Sequence, residues 1–314
     1  MPATYTHHTF AKDFYGLLNS DIKNKLDENT LLVFTQSFDI LFFYDYALGS
    51  FAHRNYVNDY FRNILVTMKE NDFYENEQAM SYLYGSLCHY LLDSIAHPFI
   101  FYKTGVYQKN DKSTYQYQYQ HTKMEAMLDA IIYEERNHRS IKHASLGNEV
   151  LPKIKFDDFL SQLLNEVFKK TFQREQASLL FKKGLINYRF IVKHVFVSQF
   201  GIKYYFTYLL AKMHIPIFAK YLNYLYYINE LDYSYLNLNH DEWCYPVDDE
   251  KTSQYSFYDL YDISLKKAIE LSEDIYNYFY GTMNIESVLE KIGNNNYATG
   301  VDSARKLTMK YFEF

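Results

Sequence analysis

A chain of 314 residues is long enough to bury a full core, as one large domain or two ordinary ones. Its formal net charge of −6, with Lys and Arg scattered, excludes the basic footprint of a duplex nucleic-acid binder and a polybasic membrane patch. The chain carries 35 Tyr and 25 Phe against only 10 Gly and 5 Pro, and so few breakers predict long helices and an all-α fold.

The opening stretch, MPATYTHHTFAKDFYG, has no basic region followed by an apolar one, so no signal peptide is expected and the location expected is cytoplasmic. Two cysteines, Cys88 and Cys244, cannot build a disulfide framework, which fits a reducing compartment. Spacing predicts helices over 9–20, 48–70, 76–103, 117–138, 157–171, 175–213, 217–230 and 255–280, with a short one near 301–312. Between the first two, residues 29–47 are too apolar for a surface loop and have no clean period. They read as irregular buried chain presenting Asp39. The run STYQYQYQ (113–120) reads as a loop entering the next helix.

The most apolar region, 190–218, is interrupted by Lys193, Lys203 and Lys212. No window in it reaches the roughly 18 uncharged apolar residues of a membrane span, so it reads as a buried helix pair broken near Pro216. Residues 237–254 form a polar loop with the only Trp, Trp243. The last long helix is the best marked: Phe257, Leu260, Tyr261, Leu265, Ala268, Ile269, Ile275, Tyr276 and Phe279 recur at three-and-four spacing, Ser253 or Ser256 can cap it, and Gly281 follows. With no internal repeat and no flexible linker, residues 1–314 are expected to form one helical domain, in which the halves 1–145 and 150–314 share a core.

The chemistry concentrates in HYLLDSIAHPFIFYKTG, residues 89–105. Residues four apart stack on one face of a helix, so His89, Asp93 and His97 form a column inside an apolar segment. Cys88 points away from that face, and Pro98 is expected to kink the helix just past the last member. His121 and Glu125 repeat the four-residue spacing. His53, the pair His7 and His8, and Asp39 stand in aromatic or apolar surroundings. Buried carboxylates are costly unless paired or bound to metal, and imidazole with carboxylate is a zinc ligand set. One tetrahedral ion cannot use so many ligands. Their number suggests two or three ions with one carboxylate bridging, an arrangement that supports displacement at phosphorus. His138, His143, His194, His214 and His240 read as ordinary core or surface histidines.

The ordered set, a Thr-His, then Asp, His, HxxxD, His and HxxxE, resembles the zinc-dependent phospholipase C family. It is also similar to the single-strand-specific nucleases that share a trinuclear zinc site. The resemblance covers roughly residues 5–126 and implies a helical bundle around a buried metal cluster, here extended by C-terminal helices. It implies one ion held by Asp39, His53, His89 and Asp93, and a second by His97, His121 and Glu125. A third would sit between His7 and Asp93, with Asp93 as the bridge and His8 as the substitute for His7. The family's secreted members complete that third site with an N-terminal Trp that this sequence lacks.

By the same resemblance the chain is a zinc-dependent phosphoric-ester hydrolase, phospholipase C-like, with Asp39 as general base. Its substrate is a phosphate ester, with phospholipid as one option. Two alternatives stand beside it. One is a single-strand nuclease or nucleotide phosphodiesterase on the same metal site, against which the acidic balance counts. The other is a non-catalytic protein with a structural zinc site. The loop holding His240, Asp241, Glu242 and Trp243 has two readings, a cover over the substrate site or an ordinary surface loop.

Overall fold

The computed structural model describes residues 3–196, 202–213, 225 and 230–313. The predicted helix over 217–230, the break near Pro216 and His214 lie outside them, as do Met1 and Pro2. Helix α1 spans Thr4–Leu17, α2 Glu28–Phe34, α3 Tyr46–Ala52, α4 Val57–Glu70, α5 Glu77–Thr104, α6 Gln120–Asn137, α7 Asp158–Phe172, α8 Ala177–Ile191 and α9 Ile202–Lys212. A short hairpin of β1 (Trp243–Tyr245) and β2 (Asp248–Ser253) leads into α10 (Phe257–Tyr280), followed by α11 (Ile285–Ile292). The fold is all-α apart from that hairpin.

Helix α5 is the centre. The side chain of Asn76 accepts from Ala79 N at 2.8 Å to cap its start, and Gly105, at φ 62°, ends it. Leu83, Tyr84, Leu87, Tyr90 and Leu91 are all buried, so apolar side chains point in every direction around the axis, as a core helix requires. Each such residue stabilises the fold by about 1.5–3 kcal/mol, which is what lets the same helix tolerate His89 and Asp93 in its interior. Helix α10 packs along α5, entered through a capping box of Ser256 and Asp259, and α1 lies against α5, α6 and α10. One apolar cluster runs from Tyr5 and Phe10 to Val288 and Tyr297, so both halves of the chain contribute to the same core.

Several expectations need correction. The first helix begins at Thr4 rather than 9, because the buried Asp129 of α6 caps it there. The predicted helix over 48–70 is two helices, α3 and α4, separated by a turn in which Tyr56 is left-handed at φ 60°. Residues 29–47 hold α2 and a 3₁₀ turn, Ser37–Phe43, rather than irregular chain throughout. Their lack of a single period reflects two short elements in succession. Of the stretch expected as a buried pair, α9 exposes Tyr205, Phe206 and Leu209. Residues 301–312 carry only a 3₁₀ turn, Ser303–Arg305, and α11 lies at 285–292, where no helix was expected. Among the described residues, no helix is long and apolar enough to cross a membrane.

Candidate metal centre

Helix α5 contributes His89, Asp93 and His97 from one face, and four other elements bring side chains to it. Asp39 comes from the 3₁₀ turn, where its N–H bonds Gln36 O at 2.9 Å. That turn lies tight against α8. A Cβ on Gly184 would collide with the Ile40 carbonyl oxygen, so glycine is what lets α8 approach the residue after Asp39. His53 follows α3, and His121 and Glu125 lie one turn apart on α6.

His7 is set by α1, whose start has no side-chain cap of its own. Asp129 takes that role from α6, accepting from Tyr5 N (3.1 Å), Thr6 N (2.8 Å) and Thr6 Oγ1 (2.7 Å). A buried network of Thr4, Gln36 and Tyr188 joins α1, the Asp39 turn and α8. Gln36 Nε2 donates to Thr4 O at 3.0 Å and Tyr188 OH donates to Gln36 Oε1 at 3.0 Å.

The structure brings all eight residues of the expected ligand set together, in three groups: His7–His89–Asp93, Asp39–His53–His89 and His97–His121–Glu125. Within them His7 Nε2 is 3.1 Å and His89 Nε2 3.4 Å from the Asp93 carboxylate, and His53 Nε2 is 3.2 Å from Asp39 Oδ1. His121 Nε2 and His97 Nε2 are 3.2 and 3.4 Å from Glu125 Oε1. Zinc–ligand bonds of ~2.0–2.1 Å at tetrahedral angles place neighbouring ligand atoms roughly 3.3 Å apart, which these separations match.

The ring tautomers make the stronger case for a cation. A carbonyl oxygen only accepts, so His53 Nδ1 donates to Gly49 O (2.7 Å), His89 Nδ1 to Thr35 O (3.0 Å) and His97 Nδ1 to Tyr297 O (3.0 Å). In each neutral ring Nε2 is then a bare lone pair. The Nε2 atoms of His53 and His89 face each other at 3.3 Å beside the Asp39 carboxylate, an arrangement that suits a shared cation. A proton on His89 is not that cation, because burial pushes this imidazole down to about 3. The residues present therefore fit zinc.

Electrostatics divide the site. Burial works against ionised carboxylates, but at Asp93 the charges of His97 and His89, with the His7 bond, outweigh it and hold the carboxyl far below its usual range. At Asp39 burial is likewise overcome, chiefly by the adjacent His53. His97 moves the other way. Burial opposes its charge, yet Asp93 and Glu125 raise it to about 9. Burial lowers His121.

The groups open on one cleft of about 270 Å³, whose mouth adds Phe42, Tyr46, Ser50, Arg54, Phe101 and Thr122. Phe42 stacks on His53 and Phe101 on His121, so aromatic faces support the ligand rings from outside. His8 belongs to none of the groups. It is buried, with no hydrogen-bond partner at either ring nitrogen among the described residues, and burial lowers it to about 4. His240, Asp241 and Trp243 do not line the cleft. Trp243 packs on Phe99 and Tyr102 and donates to Tyr255 O at 3.0 Å, while His240 bonds Gln254 O, so the loop with its hairpin braces α5 instead of covering the site.

Sequence reasoning missed Asp129, Tyr297 and Arg54. For Asp129 a signal existed, since it stands four residues after Glu125 in an apolar helix. The role of Tyr297 rests on a backbone carbonyl and left no trace in the sequence.

A helical chain that gathers eight histidine and acidic side chains into three adjoining groups offers the donor set of a metal-dependent hydrolase. The family model described as zinc dependent phospholipase C matches residues 6–174, more than half of the chain, and the chain belongs to that family. At family level this makes it a zinc hydrolase. Comparison with curated proteins and with solved structures gives no match.

Proposed function

We propose that the chain hydrolyses phosphodiesters with two or three zinc ions, and that the eight converging side chains are their ligands. In this reading Asp39, His53, His89 and Asp93 hold one ion and His97, His121 and Glu125 a second. His7 and Asp93 hold a third. The observation that carries it is the pair of opposed Nε2 lone pairs on His53 and His89 beside a carboxylate. When bound, zinc supplies positive charge for phosphoryl oxygens and lowers the pKa of water toward neutrality.

The chain's own groups do the rest. Asp93 lies between His7 and His89 on one side and His97 on the other and sets the spacing between the groups. Asp39 stays ionised, with Oδ1 on His53, and accepts the proton of the attacking water. Phe42 and Phe101 shield the imidazoles and restrict water at the mouth. The cleft is near the small end of the roughly 300–1,000 Å³ usual for ligand sites. A phosphoryl head group fits inside, with the remainder of the molecule outside. That opening favours catalysis over a structural zinc site, since structural sites are closed. Because α5 and α10 pack together in a shared apolar cluster, we treat residues 1–314 as one functional domain.

The test is metal content with turnover. Purified protein is expected to hold at least two zinc ions per chain by mass spectrometry, and to cleave bis(p-nitrophenyl) phosphate. Chelation should abolish cleavage and zinc restore it. A zinc-loaded protein with no turnover on any phosphodiester would remove the hydrolytic reading.

A further inference from the structure

Of the charged side chains lining the cleft, three are carboxylates, Asp39, Asp93 and Glu125, and each lies against a histidine. Arg54 also lines the cleft, and its situation differs. It sits at the mouth, exposed, with no ion pair and no side-chain hydrogen bond among the described residues. Other arginines of the chain are engaged: Arg62 is bidentate on Glu286, Arg136 on Asp13, and Arg189 bonds backbone carbonyls.

The backbone that presents Arg54 is pinned rather than loose. Arg54 N bonds Phe51 O at 3.1 Å, Asn55 Nδ2 bonds Phe51 O at 2.9 Å, and the His53 carbonyl accepts from Tyr297 N at 3.3 Å. Ser50 stands one helical turn before Arg54, and Thr122 lines the same cleft. A guanidinium recognises anionic oxygens, and hydroxyls in the same cleft can add donors to them. Among the described residues, those at the mouth include no carboxylate to attract a cation. Phe42 stacks on His53 and Phe101 on His121, which leaves Tyr46 as the mouth aromatic that stacks on no histidine.

We propose that Arg54 is an anion-binding specificity residue. It engages a second negative charge, carried by the part of the substrate away from the scissile phosphate, so that the chain selects anionic over cationic head groups. This rests on the reading of the cleft as a phosphodiesterase site.

The experiment uses three p-nitrophenyl phosphodiesters with head groups of similar size: phosphoglycolate (anionic), phosphoglycerol (neutral) and phosphocholine (cationic). For the zinc-loaded protein, kcat/KM is expected to fall in that order. Arg54→Ala should lower the anionic-to-neutral ratio about ten-fold, mainly through KM, and Arg54→Glu should reverse the anionic-to-cationic preference. A parent protein that prefers phosphocholine, or an Arg54→Ala variant that loses all three substrates equally, overturns the proposal.

If no ester is cleaved, the hydrolase reading fails, and a binding arm still judges Arg54. Calorimetric titration of the zinc-loaded protein with phosphoglycolate should give a Kd about ten-fold below that for phosphocholine, and Arg54→Ala should erase the difference. Equal affinities in the parent protein overturn it. Because Arg54 is exposed and unpaired, its variants should keep the parent's thermal midpoint.

Discussion

The Asp39–His53–His89 group and the His97–His121–Glu125 group use the same chemistry on the same central helix, yet they are built differently. In the first, both imidazoles are held by backbone carbonyls, Gly49 O and Thr35 O, and His89 is fully buried. In the second, His97 is held by Tyr297 O, but the buried His121 Nδ1 has no partner, and both rings are partly exposed. The first group is preorganised. Its two Nε2 atoms are already aimed at one place, so a cation binds there at little cost in ordering. In the second, a proton on His97, raised to about 9, occupies the place a metal would take. Burial and the fixing of the outer ring nitrogen therefore decide how ready each group is, more than the identity of the ligands does.

Asp93 belongs to both halves of this comparison, lying within 3.6 Å of His7, His89 and His97. Asp93→Ala is expected to have the largest effect, lowering kcat/KM by more than about 10³-fold and removing at least one zinc per chain. Retained turnover would break the bridging assignment. Next in size is the order of metal loss. Under a chromophoric chelator, zinc should leave in two phases, with the faster phase at least about ten-fold quicker. His121→Ala should remove the fast phase and His53→Ala the slow one. A single phase in the parent would mean the two groups act as one site.

A smaller effect concerns the metal-free protein and pH. His89 has a folded pKa of about 3, below the ordinary histidine value, so the unfolded chain binds the extra proton and stability falls as pH drops below about 6.5. The depressed Asp93 and Glu125 add to that acid side. His97 has a folded pKa of about 9, so its contribution is full below about 6.5 and is lost as pH rises through 9. The thermal midpoint of the stripped protein should therefore peak near neutrality and decline on both sides. Zinc should remove the alkaline decline, since His97 then holds metal in place of a proton. An alkaline limb that survives zinc loading would place His97 outside the site.

Much of the centre was legible in the sequence, for a physical reason. Candidate ligands on one helix announce themselves by spacing, as His89, Asp93 and His97 do, and lone polar residues such as Asp39 and His53 stand out against apolar surroundings. What aims those ligands is less visible. Gly49 O, Thr35 O and Tyr297 O act through backbone atoms that every residue possesses, so no residue type marks them. The same limit applies to the fold. The long helices α5 and α10 carried clear caps and periods, whereas α2, the Asp39 turn and the α3–α4 break are set by contacts with distant segments, including Gly184 on the Ile40 carbonyl. Arg54 was overlooked because an arginine beside a ligand looks like any surface charge until its lack of a partner is known.

The smallest effect expected tests whether Tyr297 serves the outer group through its backbone. Its hydroxyl is buried with no hydrogen-bond partner, while its carbonyl accepts from His97 Nδ1 and its ring lies against His53 and His89. Removing an unsatisfied buried hydroxyl forfeits no bond, so Tyr297→Phe should leave activity unchanged and stabilise by up to about 1 kcal/mol. The carbonyl is held in place by the turn that ends at Gly300. That glycine has φ 64°, and a Cβ there would come within 2.6 Å of Ser94 O and Pro98 Cγ on α5. Gly300→Ala should thus push the 297 carbonyl off His97 and speed release of the outer zinc while the inner zinc stays. Were Tyr297→Phe to speed zinc release as much as Gly300→Ala, the hydroxyl would carry the function assigned here to the backbone, and the contrast between the two groups would have to rest on burial alone.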